Sequence, residues 1–235
     1  MMPQLLKSIS LWYWLHALIL LVTWQHSKSL NLLVAPDSST YILSEDISSA
    51  LSSARTFGYP IFLYLVSKLS HEFERLPDFQ FILYSLSTFV FLIGLRHFGV
   101  SKVKSLVITL PIFYLEFAKI YIPYQLTESL AVTFAILTLG ILLILVSQPQ
   151  KPALWILLGL SIFCTYQVRP AFLFLIPLVP VLGLGLLLFK RIYDDYPYTK
   201  SSLFRFITYL VITAVIPLLA FSTLRLAVVG HFGLV

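Results

Sequence analysis

Charge is what this sequence has least of. Of its 235 residues, 16 are Lys or Arg and 10 are Asp or Glu, 11% in all, where a soluble domain carries roughly 25%. Together with a hydrophobic content of 59% and a mean hydropathy of +0.92, that scarcity excludes an ordinary soluble globular domain. Cysteine is scarcer still: the single Cys164 permits no intramolecular disulfide and leaves the redox compartment undetermined. The five histidines (His16, His26, His71, His97 and His231) have no metal-ligand spacing. No P-loop, glycine-rich dinucleotide turn or Gly-x-Ser-x-Gly is present, which removes the common signatures of P-loop NTPases, dinucleotide enzymes and serine hydrolases. Internal repeats are also missing, and with them the paired halves that many transporters show.

What the chain does have is long charge-free intervals. Residues 8–27, 79–95, 129–150, 152–168, 170–189 and 206–224 contain no Asp, Glu, Lys or Arg, and each is near the ~20 residues a helix needs to cross a bilayer. The interval 105–122 is also apolar but carries Glu116 and Lys119, three apart on one helix face and suited to pair with each other. The expectation is an all-α transmembrane helix bundle of about seven spans forming a single domain over residues 1–235. Lys7 precedes the first span, but Gln25-His26-Ser27-Lys28 follows it in place of a small-x-small cleavage site, so it reads as a retained anchor.

The net charge of +6 is a membrane signal, not a nucleic-acid one, because the charges sort by side. With the amino terminus inside, Lys7, Arg96, Lys102, Lys104, Lys151, Lys190, Arg191, Lys200 and Arg205 fall on the inner side against Asp194 and Asp195. Asp37, Glu45, Asp46, Glu72, Glu74 and Asp78 fall outside, diluted by Lys28, Arg55, Lys68 and Arg75. This positive-inside distribution requires that residues 60–69 do not cross, which their shortness also requires; they are expected as an interfacial or re-entrant helix. The first external loop then runs from about Ser27 to Asp78, and within it residues 40–54 have the spacing of an amphipathic surface helix capped by Ser38, Ser39 or Thr40.

Chemistry is expected in that loop and at the outer ends of the spans. Asp37, close to the membrane surface, suits a general base and equally suits a helix N-cap or a solvated loop acid. Glu45 and Asp46 would face water on a surface helix. Arg169, beside Pro170 at the outer end of a span, suits a lipid phosphate and equally a snorkelling position. Glu128 starts a span at membrane depth, where ionisable groups are costly. Arg225, near the outer end of the last span, is placed to serve Asp37, Glu128 or an anionic ligand.

Asp37-Ser38-Ser39-Thr40-Tyr41, Arg55-Thr56-Phe57-Gly58-Tyr59-Pro60-Ile61-Phe62-Leu63, Thr127-Glu128-Ser129-Leu130 and Val168-Arg169-Pro170 occur in that order. Together they resemble the polytopic glycosyltransferases of the GT-C superfamily, in the group similar to bacterial protein mannosyltransferases and lipopolysaccharide sugar transferases. The resemblance covers residues 9–235 and only the front portion of that family, whose members usually continue with more spans or an external domain. It implies transfer of a sugar from a polyprenyl-phosphate donor to a glycan, lipid or protein acceptor, at the outer face of a bacterial plasma membrane. Asp37 would be the catalytic base, and Arg55, Tyr59, Glu128, Arg169 and Arg225 would bind substrate. Because the acidic motif holds Asp37 alone, not adjacent acids, a divalent metal on Asp37 and Asp46 is left open. The competing expectation is a non-catalytic membrane protein: a lipid carrier, a channel or a truncated relic of a transferase.

Overall fold

A computed structural model of the protein describes residues 14–19, 22, 32–42, 56–114, 121–193 and 200–233. Residues 14–19 are helical. Beyond them the helices are α1 (Gly58–Leu69), α2 (Leu76–Phe98), α3 (Lys102–Tyr114), α4 (Thr127–Ser147), α5 (Pro152–Val168), α6 (Leu175–Tyr193) and α7 (Lys200–Val229). No strand occurs among the described residues, only one isolated bridge between Leu33 and Tyr124. Local sequence sets several boundaries. Pro77 and Pro152 open α2 and α5, where a missing N–H costs nothing. Gly99 closes α2 at φ 104°, its N–H bonded to the Arg96 carbonyl while Val100 N–H bonds that of Leu95, a glycine-dependent C-terminal cap.

The directions of the helices follow from side chains that link their ends. Gln80, near the start of α2, donates to the carbonyls of Ile122 and Tyr124 just before α4. At the far ends, the Gln148 amide donates to His97 Nδ1 across 3.0 Å. Helices α2 and α4 therefore run parallel. They also approach closely: a Cβ on Gly94 would sit 2.5 Å from the Gly140 carbonyl oxygen, and one on Gly140 would sit 2.8 Å from the backbone of Phe91. Small residues at such a seam let two backbones meet where lipid supplies no hydrophobic drive. Helix α3 returns antiparallel, with the Tyr84 hydroxyl donating to the Ile112 carbonyl. Helix α5 returns against α4, with the Thr138 hydroxyl donating to Ser161 at 3.1 Å. Lys190 at the end of α6 donates to Ser147 at the end of α4, and Trp155 early in α5 meets Phe206 early in α7, ring centroids 5.4 Å apart.

The bundle thus has two ends, one with the starts of α2 and α4 and one with their termini. The main core lies among α4, α5, α6 and α7, around Leu142, Leu145, Leu158, Ile162, Val179 and Leu210. Helix α4 is central, with 61% of its apolar window buried, whereas α6 and α7 bury only 22% of theirs. Their outward residues, such as Val181, Ile192, Phe204, Ile216 and Val228, are large, apolar and exposed, a surface that lipid solvates and water does not.

Among the described residues, four helices are long and apolar enough to cross a membrane: Leu76–Phe98, Thr127–Ser147, Pro170–Ile192 and Ser201–Val229. The protein is an integral membrane protein built as an all-α helix bundle. Helix α5 is apolar but 17 residues long, about 26 Å at 1.5 Å per residue, the short limit for a span. The two other expected spans fall partly on residues 20–31 and 115–120, which lie largely outside the described residues together with Glu116 and Lys119. The segment expected at 60–69 is the 12-residue α1, about 18 Å long and too short to cross. One face of it, Tyr59, Pro60, Leu63 and Val66, is buried against protein, while Leu65 and Leu69 are exposed.

The helix expected over 40–54 does not begin at Thr40. Ser38–Tyr41 form a 3-10 turn, and Ile42 leaves it extended at φ −79°, ψ 122°. Other hydrogen bonds take the capping hydroxyls: Ser38 donates across the fold to the Gln125 carbonyl, and Thr40 donates locally to the Asp37 carbonyl. Residues 43–55, with Glu45, Asp46 and Arg55, lie outside the described residues.

Candidate functional site

The loop that carries Asp37 is fastened to the entrance of α4. Leu33 N–H donates to the Pro123 carbonyl at 2.9 Å, and Gln125 N–H donates to the Leu33 carbonyl at 3.1 Å. The buried Ser38 hydroxyl accepts from Ala35 N–H and donates to the Gln125 carbonyl, both at 2.9 Å. Gln80 holds the same stretch from the other side through Ile122 and Tyr124. Backbone that is neither helix nor sheet needs such partners at membrane depth. Asp37 precedes the Ser38 anchor, and it is exposed. It occupies the N-cap position of the 3-10 turn, yet its carboxylate makes no cap hydrogen bond to the turn that follows it.

Helix α1 packs its first turn onto the end of α5. A Cβ on Gly58 would come within 2.7 Å of the Gln167 carbonyl group, so only glycine permits this approach. Next to it, Tyr59 is fully buried and meets the Tyr41 ring edge-on at 5.3 Å. Its hydroxyl has no hydrogen-bond partner among the described residues. Burial first, then Tyr41, then the Glu128 carboxylate push its pKa above the usual phenol range, so Tyr59 stays a neutral donor.

Glu128 lies in the first turn of α4, where the helix dipole favours an acid. Arg169, extended between α5 and the 3-10 turn Pro170–Phe174, forms an ion pair with it. Thr127 joins them, accepting from Arg169 Nη1 at 3.3 Å and donating to Glu128 Oε2 at 3.4 Å. The Arg169 and Glu128 side chains are 37% and 27% exposed, so the pair contributes on the order of 1 kcal/mol or less. Arg169 thus has a protein partner in Glu128, and its part-exposed guanidinium remains within reach of a ligand.

Arg225 is buried on α7, one turn beyond Phe221, whose ring stacks on Phe57 at 4.9 Å. Below it, Phe57, Ile61, Leu160, Phe163, Phe221 and Leu224 line an apolar groove of about 480 Å³ between α1, α5 and α7. The end of the bundle that carries Asp37 therefore gathers Tyr59, Glu128, Arg169 and Arg225. Arg55 and Asp46 are outside the described residues. No group of three or more His, Cys, Asp or Glu suited to a metal ion occurs among the described residues; of the two acids on which a metal was left open, only Asp37 is among them.

Several residues here carry no motif. Gln167 is buried with neither amide atom partnered among the described residues, and Gln125 Nε2 shares that condition, as does the hydroxyl of Ser129 within the Thr127–Leu130 motif. The available signal was polarity out of place: Gln80 and Gln167 interrupt otherwise apolar spans. No family model, no curated protein and no solved structure matches this chain.

Proposed function

We propose that the Asp37 end of the bundle is the active site of a membrane glycosyltransferase that moves a sugar from a polyprenyl-phosphate donor to an acceptor. The observation that carries this reading is that one end of the bundle holds a tethered, exposed acid and an apolar groove, with Arg225 one turn beyond the groove residue Phe221. Ser38 and Leu33 fix the Asp37 loop onto the start of α4, and the groove beside α1 is long-chain hydrocarbon in character. The isoprenoid tail would lie along Phe57, Phe163 and Phe221. Its phosphate would meet Arg225, with Arg55 two residues before Phe57 and Arg169 nearby.

In the reaction, an acceptor hydroxyl attacks the anomeric carbon and Asp37 takes its proton. The bond from that carbon to the phosphate oxygen breaks, and the lipid phosphate leaves with the electron pair. Arginine stabilises the charge that develops there, and a general acid is not required because phosphate is a serviceable leaving group. Tyr59 and the Gln167 amide offer buried donors to the sugar. By the positive-inside distribution this end faces outward from a bacterial plasma membrane.

The test is sugar transfer from a polyprenyl-phosphate donor in membranes carrying the parent or Asp37→Asn. The expected loss is about 10²–10⁴-fold in rate with unchanged melting, since the carboxylate makes no cap bond. Parental rate in the asparagine variant would make Asp37 a loop acid. Absence of transfer by the parent would favour a lipid carrier or channel, which the same groove would serve.

A further inference from the structure

The opposite end of the bundle holds a second, different site. Among the described residues every acid (Asp37, Glu72, Glu74, Asp78 and Glu128) lies at the Asp37 end, whereas Arg96, Lys102, Lys104, Lys151, Lys190 and Arg191 lie at the other. A side bias alone accounts for such a distribution, but it does not account for a cavity. Between the α2–α3 turn and the end of α6 is a cavity of about 340 Å³, walled by Gly99–Ser101, Lys104 and Lys190 over the rings of Phe98 and Phe189.

The two lysines come from different helices and are held differently. Lys190 donates to Ser147 at 2.9 Å and sits 6.0 Å from the Phe98 ring centroid. Lys104 is exposed at the rim. The Ser101 oxygen receives the Lys104 backbone N–H at 3.4 Å, so its own proton is left to donate. The floor is apolar: Phe98 and Phe189 stack at 6.0 Å. On the outer side Phe189, Leu188 and Ile192 are exposed, continuous with the lipid-facing surface of α6.

We infer that this cavity binds the phosphate headgroup of an anionic phospholipid, with Lys104, Lys190 and Ser101 on the phosphate and the acyl chains running down α6 past Phe189 and Ile192. Basic pockets between spanning helices take such headgroups. A free phosphate ion shares the charge chemistry but has no use for the aromatic floor or the apolar flank. The site is independent of the transferase reading.

The experiment is titration of phosphatidylglycerol into the purified full chain in neutral detergent, read by native mass spectrometry, with phosphatidylcholine and inorganic phosphate as separate arms. Phosphatidylglycerol is expected to bind in preference to phosphatidylcholine, and inorganic phosphate is expected not to displace it. Lys104→Gln and Lys190→Gln should each weaken binding about five-fold, while Lys151→Gln, at the same end but outside the cavity, should leave it unchanged. Lys190→Gln also removes the Ser147 bond, so Lys104→Gln, which disturbs no fold contact described here, decides the matter. Unaltered binding in Lys104→Gln, or an equal loss in Lys151→Gln, overturns the site. Displacement by inorganic phosphate overturns the lipid as its occupant.

Discussion

The two ends of this bundle treat polarity in opposite ways. At the Asp37 end, polar groups are buried and partly unspent: the Tyr59 hydroxyl, Gln125 Nε2, the Ser129 hydroxyl and both amide atoms of Gln167 have no partner among the described residues. Each such group costs about 1–3 kcal/mol when left unsatisfied. At the basic end no described residue contributes a buried unpartnered side-chain atom; Gln148 meets His97, Lys190 meets Ser147, and the Trp155 indole meets the Pro149 carbonyl. That unspent hydrogen-bonding capacity is what the proposed site would use. Exposed charge is the resource of the basic end, and buried donors and acceptors are that of the Asp37 end.

The contrast breaks outright if the two ends do not face opposite sides of the membrane. In a Cys164→Ser background, cysteine placed at Ser39 and at Ser101, both exposed and at opposite ends, should label from opposite sides with an impermeant reagent. Labelling of both from one side would remove the comparison altogether.

A smaller but still large effect concerns the seam that keeps the ends apart. Gly94→Leu drives a side chain into the Gly140 carbonyl and should destabilise the bundle by about 1–3 kcal/mol, read by thermal melting in detergent. Gly185→Leu, with open space around its would-be Cβ, should change little.

The smallest effect sharpens the electrostatic side. A double-mutant cycle of Glu128→Gln and Arg169→Gln should return a coupling of about 0.5–1 kcal/mol. Arg191→Gln, exposed at the basic end, should shift the melting point little. A coupling of zero would mean that the ion pair does not hold the end of α5 to the start of α4.

Much of this architecture is legible in the sequence because hydropathy is local. The charge-free intervals 79–95, 170–189 and 206–224 each fall within a long apolar helix, 129–150 runs just past the end of another, and the shortness of 60–69 reappears as α1. The Glu128–Arg169 pair was not legible, because it depends on α5 returning antiparallel so that residues 41 apart in sequence meet. Thr40 and Tyr41 misled for a related reason. Their apolar spacing continues a helical pattern, but the Ser38 hydroxyl finds the Gln125 carbonyl 87 positions away, and that tie outweighs propensity. Asp37, Tyr59, Glu128, Arg169 and Arg225 were each singled out in the sequence. That they share one end of the molecule follows from the tertiary path.

Gln80 has a mechanical consequence. Through Ile122 and Tyr124 it couples α2 to the stretch that carries Leu33 and, by way of Gln125, Ser38. Helix α2 is 23 residues long, a rod of about 35 Å whose other end meets α4 through His97 and Gln148. Gln80 stands about 26 Å from that far end at 1.5 Å per residue, so a tilt of roughly 5° about it would carry the Asp37 tether by about 2 Å. For the proposed base, a shift of that size would decide whether the carboxylate reaches an acceptor hydroxyl. In that reading the helix is a lever arm, and the acid rides on its tip.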